Sequence, residues 1–237
     1  MSMRRIEKPI RDVYTKLAER AKRSSRIDSI ATIGTELYSV LQNKLPHVYY
    51  DGASAGVEDV ESVLGKPILK PVEKAVSIED LLNLGLPSAL KVMRTIGIVH
   101  IKTISSYFFN QLKNEFAISA KLSESQAQLM ERIAEFQEDK VPWMARRIAQ
   151  TETTQMFNGG SQKGYELSTV VGGKQWIANL QGNPRPAHED AHLQVVPVKK
   201  PFIVDNETLM FPGDTTMGAS PGNTINCHCC TLPVIKI

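Results

Sequence analysis

Two short clusters hold the side chains best suited to chemistry. His188-Glu189-Asp190-Ala191-His192 spells H-E-x-x-H, and Asn226-Cys227-His228-Cys229-Cys230 brings thiols together near the C-terminus. On a helix, H-E-x-x-H sets two imidazoles one turn apart on one face. Zinc held there would activate a water, with Glu189 as general base. The surroundings do not favour that helix. Asn183-Pro184-Arg185-Pro186 precedes it, Leu193-Gln194-Val195-Val196 already reads as strand, and the extended motif fails because positions 195 and 198 are Val. The thiols offer another use for the same histidines. Cys-x-Cys can chelate one zinc, and His188, His192, Cys227 and Cys229 together make four N/S ligands. That set is a closed tetrahedral structural site with no position left for a reacting water. The bland alternative makes the cysteines small buried hydrophobes beside a terminal strand at 232–237, and the histidines surface groups.

The elements that would position these clusters change character along the chain. Residues 3–24 read as a helix with Ile6, Ile10, Val13, Tyr14 and Leu17 on one stripe, starting near Pro9. A second helix is expected over about 28–45, stopped by Pro46. Asp51-Gly52 reads as a turn, 65–71 as a loop, and Ser77 as the cap of another helix, interrupted at Leu86-Pro87. Residues 88–118 have helical character, although the β-branched run 96–104 could form a strand. Ser123 is expected to open a helix to about Phe136, and Pro142 the next, to Phe157. Beyond Gly159-Gly160 come short strand-like runs at 176–177, 193–198, 201–204 and 209–211. Turn signals such as Asp205-Asn206 and Pro212-Gly213-Asp214 separate them. The fold class expected is α+β, a helical N-terminal region (1–140) followed by a small α+β module (141–237) with short antiparallel strands.

The chain has 237 residues, 42% hydrophobic and 22% charged, which suits a globular protein with a core. Three clustered cysteines make a poor disulfide framework, so free thiols in a reducing cytoplasm are expected. No apolar run is long enough to span a membrane, no secretory signal is seen, and no membrane partner is expected. Charge is uneven. Residues 1–26 carry nine Lys or Arg against three Asp or Glu. Arg4, Arg5, Lys8, Arg11, Lys16, Arg20, Lys22 and Arg23 would make a local surface for an acidic partner, nucleic acid or otherwise. No phosphate-binding glycine loop and no nucleophile elbow occurs.

An ordered set of motifs carries a resemblance. Arg146-Arg147-Ile148-Ala149-Gln150-Thr151-Glu152-Thr153 is similar to the R-x-I-A-R-T-E-T helix of the phage Mu F-like minor head proteins. Asn158-Gly159, Tyr165, Lys174-Gln175-Trp176-Ile177 and Arg185-Pro186-Ala187-His188 follow in that family's order. Val195-Val196, Pro201-Phe202, Leu209-Met210-Phe211-Pro212-Gly213-Asp214 and Ile225-Asn226-Cys227-His228-Cys229 complete it. The chain departs at His228, where the family usually has Arg, and at Leu180-Gln181-Gly182, where it usually has an Asp. One branch of the family has a Cys-x-x-Cys whose second Cys falls on His188, which implies a ligand role for His188 beside Cys227 and Cys229. His192 is the fourth ligand expected and His228 its competitor. The resemblance places His188 in a turn and makes the H-E-x-x-H accidental.

It further implies a non-enzymatic minor capsid protein acting in head morphogenesis inside the procapsid near the portal. Its partners would be the portal protein, capsid or scaffold proteins and double-stranded DNA. Its location would be the host cytoplasm during assembly and then the virion. Trp176, Phe202 and Phe211 would form the module's core. No toxin or nuclease domain, carried by some relatives after the Cys-x-Cys, is expected here. The alternative is a zinc-dependent hydrolase using His188-Glu189-Asp190-Ala191-His192.

Overall fold

A computed structural model describes residues 4–24, 36–37, 39–41, 45–49, 51–56 and 98–236. The expected loop at 65–71, the helix capped by Ser77 and most of the helix over 28–45 lie outside the described residues. Helices come first and small antiparallel sheets follow, an α+β arrangement. Two compact units divide the chain. One gathers residues within 2–43 and 97–149, the other residues within 44–96 and 150–237.

Three helical segments make the first unit: α1 (Arg4–Ser24), α2 (Ile98–Lys121) and the first part of α3 (Gln126–Leu167). In α1, Ile6, Ile10, Val13 and Tyr14 of the predicted stripe are buried, the side chain of Leu17 lies outside the described residues, and Lys8, Arg11 and Lys16 face solvent. The helix starts before Pro9 and contains it. Of the other basic residues, Arg4, Arg5, Arg20, Lys22 and Arg23, only the backbone is described. α2 settles the ambiguity of the β-branched run in favour of helix. Ile104, Phe108 and Leu112 recur every four residues and are all buried, so packing outweighs strand propensity. Tyr14 stacks 4.9 Å from Phe108, which lies 5.3 Å from Phe136. The Tyr14 hydroxyl bonds the buried Ser105 hydroxyl at 2.9 Å.

Ser125, rather than Ser123, caps α3. Its backbone N–H donates to Gln128 Oε1 at 2.8 Å, and its Oγ accepts from the Gln128 N–H at 3.4 Å. The helix then runs through Pro142 instead of restarting there. The ring removes one helical hydrogen bond. Apolar residues on either side, Phe136, Val141, Met144 and Ala145, are nevertheless all buried.

The second unit is built on the end of α3, from Gln150. Helical turns at 51–56 replace the expected Asp51-Gly52 turn. Gly52 serves close approach rather than chain reversal. A Cβ on it would stand 2.1 Å from the Phe157 carbonyl oxygen, and one on Gly160 would stand 2.1 Å from that of Tyr49. Ser161 Oγ donates to the Gly52 carbonyl at 2.9 Å across the same contact.

After α3 the chain forms β1 (Val171–Ile177), the short helix α4 (Pro186–Asp190), β2 (Val195–Pro197) and the β3–β4 hairpin (Phe202–Val204, Glu207–Leu209). Helix α5 (Pro221–Thr224) and β5 (Cys230–Ile235) follow. β1 is the centre of a sheet ordered β2-β1-β5, with Gln175 opposite both Val195 and Leu232. Asp205 and Asn206, at φ 49° and 61°, make the two-residue turn of the hairpin. The expected strand at 209–211 is displaced, because Leu209 ends β4. Trp176 and Phe202 are core residues, 5.3 Å apart and edge-on. Phe211 is only half-buried, with its ring over Gly159, so the core expected of it is filled by Val204 and Leu209 instead.

Lys174 sits on the same inward face of β1 as Trp176 and is fully buried. Its Nζ donates to Gln162 Oε1 at 2.9 Å and to the Met210 carbonyl at 2.6 Å. Burial pushes its ammonium down to about 8, against support from Glu166 and Asp214. The unfolded chain, with an ordinary lysine, therefore binds the extra proton between pH 8 and about 10.4. Raising the pH through that window favours the folded state. Lys174→Met should cost about 1–3 kcal/mol at pH 7, because two buried acceptors lose their donor. The deficit should widen from pH 8 to pH 10 in urea titrations of the two proteins. A gap that stays constant with pH would show that Lys174 does not titrate there.

Candidate metal centre

His188, Cys227 and Cys229 form one buried cluster that could hold a metal ion, with donor atoms all within 4.8 Å of one another. His188 Nδ1 lies 3.4 Å from Cys229 Sγ and 3.8 Å from Cys227 Sγ. A tetrahedral ion with Zn–S bonds of about 2.3 Å and Zn–N bonds of about 2.0–2.1 Å has S···N edges of roughly 3.5 Å. The two S···N distances therefore already suit such an ion. His188 Nε2 has no hydrogen-bond partner, and the ring stands edge-on to the Trp176 indole at 5.7 Å.

Each donor is placed by identifiable local structure. Pro186 opens α4 at a position where its missing N–H costs nothing. The Arg185 guanidinium donates to the Ile225 carbonyl at 2.6 Å, tying the start of α4 to the cysteine segment. Asn226 at φ 56° turns the chain into that segment, a conformation Asn tolerates better than most residues. One face of α3 then fixes the backbone. Thr151 Oγ1 accepts from the Asn226 N–H at 2.9 Å, and Thr154 Oγ1 donates to the Cys227 carbonyl at 2.7 Å. Asn158 Nδ2 donates to the carbonyls of Cys229 and Pro212, both at 3.0 Å, and the Tyr165 hydroxyl donates to that of Thr231.

The thiols are electrostatically unequal. Cys229 is held well below the ordinary thiol range, first by the hydrogen bond from Cys227, then by His188 and the Asn179 backbone N–H. Cys227, as the donor, is held up by that bond and by burial. Two sulfurs beside an imidazole make a soft donor set, and a divalent ion bound there would hold both cysteines as thiolates.

The structure does not bring every expected residue to this centre. His192 lies beyond the end of α4, and its Nδ1 accepts from the Ala178 N–H at 3.2 Å. It is a backbone cap and not a member of the cluster. Five helical residues are too few to carry H-E-x-x-H on one face, and Glu189 is exposed. His228 is exposed while both flanking cysteines turn inward. Sequence reasoning missed the positioning roles of Thr154, Asn158, Lys174 and Arg185. A signal existed: Thr151, Thr154, Asn158 and Tyr165 recur at helical spacing where an amphipathic helix would place apolar groups.

No protein-family profile matches the chain, and no solved structure matches it. The chain is similar to Uncharacterized protein YqbB of Bacillus subtilis (strain 168), at 33% identity over 95 residues. The match spans 38% of this chain and 30% of that protein, so less than a third of the relative's length is covered. Among the described residues no helix is long and apolar enough to cross a membrane.

Proposed function

We propose that this chain is a non-enzymatic minor head protein of a phage or prophage, acting in head morphogenesis from the capsid interior near the portal. Its second unit is pinned by a structural zinc ion on His188, Cys227 and Cys229. One observation carries the reading. The motifs that resemble the Mu F-like family are physically coupled. The helix motif holds the cysteine segment through Thr151, Thr154 and Asn158. The Lys174 strand holds the Leu209–Asp214 run through the Met210 carbonyl. The Arg185 turn holds Ile225 and supplies His188. Chance matches scattered along a chain would have no reason to bond one another in this way.

Lys8, Arg11 and Lys16 on the solvent face of α1 suit an acidic portal surface or packaged double-stranded DNA. The hydrolase alternative finds less support, because His192 and Glu189 face away from the donor cluster. The test uses the genome that encodes the chain, with and without this gene. Purified heads are expected to contain the chain in few copies beside the portal protein. Deletion is expected to reduce the yield of DNA-filled heads. Heads lacking the chain and a normal yield after deletion would overturn the reading.

A further inference from the structure

Three protein donors leave one vertex of a tetrahedron to be filled from elsewhere, and two of the three donors line a cavity. A cavity of about 230 Å³ adjoins His188 and Cys229. Asn179, Asn183, Arg185, Asn226 and His228 contribute to its wall, and among the described residues no carboxylate lines it. Of the candidates for a fourth protein ligand, two are engaged elsewhere, and the third, His228, stands on the cavity wall itself. His192 caps the Ala178 amide, and Cys230 continues into β5 opposite Ile177. His228 leaves the backbone between two inward-turned cysteines and is exposed.

Charge selects the occupant. Two thiolates neutralise a divalent cation, and the Arg185 guanidinium then leaves the cavity wall positive with no acid to balance it. A pocket of this sign and size, next to an ion with an open position, favours a small anion over water.

We infer that the metal centre is coordinatively open toward this cavity and binds a small monoanion, of the carboxylate, halide or azide kind, as an exchangeable fourth ligand. This rests on the metal reading above. The step is a ligand exchange: the anion's lone pair replaces that of a solvent molecule on the ion, with no change of oxidation state. The site thereby differs from a closed structural zinc, whose four ligands all come from the protein.

The experiment is a titration of the full chain, loaded with Co2+, with sodium azide, read in the visible absorption bands of the metal. A saturable change in the wild-type bands is expected, and the same change in His228→Ala with a midpoint within about twofold. Arg185→Gln, if it still loads one Co2+, should raise the midpoint by about threefold or more, since a positive charge at the cavity wall is lost. A wild-type spectrum that azide does not alter would overturn the open site while leaving the metal reading intact. A response appearing only in His228→Ala would overturn it in favour of His228 as fourth ligand. Failure to bind Co2+ at all would overturn the metal reading as well.

Discussion

Cys229→Ser is expected to purify without stoichiometric zinc and to lose roughly 15 °C of thermal stability relative to the zinc-loaded wild type. A ligand that binds only the folded state stabilises it by about 4 kcal/mol when present at a thousandfold over its dissociation constant. In a folded unit of about 140 residues each kcal/mol moves the melting temperature by about 4 °C. Serine cannot replace the sulfur. Its hydroxyl does not ionise in this range, and oxygen is a weaker donor to zinc in a thiolate-imidazole set. The buried neighbours would suffer too, because His188 Nδ1 and the Asn179 N–H both lose the charge they face. Differential scanning calorimetry with elemental analysis checks this directly. Chelator should bring the wild type down to the variant's melting temperature and leave the variant where it is. A wild type indifferent to chelator would remove the metal from the account and return the cysteines to packing.

Gly160→Ala should destabilise the chain by about 2 kcal/mol, and here the sign matters more than the size. At a solvent-facing helix position, glycine to alanine stabilises by about 1 kcal/mol through lower backbone entropy. At Gly160 the new methyl would start 2.1 Å from the Tyr49 carbonyl oxygen and 2.8 Å from the Ala53 nitrogen. Both are backbone atoms, so no side chain can rotate away and the two helical segments must separate. Overpacking of this kind costs about 1–3 kcal/mol and more when the obstacle is rigid. Gly52→Ala meets the Phe157 carbonyl at the same distance from the other side. The pair should therefore be non-additive, since one separation relieves both clashes. Urea denaturation gives the answer. A stabilised Gly160→Ala would mean that the two segments do not pack as closely as described.

Much of the chain was legible because its signals are local. The stripe of Ile6, Ile10, Val13, Tyr14 and Leu17 defined α1 before any neighbour was known, and the first four are buried. Asp205-Asn206 read as a turn between strand-like runs, and the structure makes it the two-residue turn of a hairpin, since those residue types accept the positive φ needed there. His188, Cys227 and Cys229 were legible as ligands by type and spacing, and they meet in the fold.

What failed did so where a residue type has more than one use. Glycine after aspartate reads as a turn, yet Gly52 is helical and small for the sake of the backbone beside it. Pro142 reads as a helix start, yet burial on both sides of it carries α3 through. His192 offers an imidazole one helical turn from His188. α4 ends first, however, and the Ala178 amide claims its nitrogen. Lys174 had no role assigned to its side chain, which points inward because Gln162 and the Met210 carbonyl supply acceptors there.

The sequence by itself determined the class of the fold, the amphipathic first helix, the turn at Asp205-Asn206 and a short set of candidate ligands, His188, His192, Cys227 and Cys229. Those properties follow from periodicity, backbone preference and donor chemistry, which act over a few residues. Only the tertiary structure decided which imidazole joins the thiols, which glycines mark contact, and which helix face grips the cysteine segment. Such choices depend on partners from distant parts of the chain, and a buried polar atom takes whichever complementary partner the fold brings within reach.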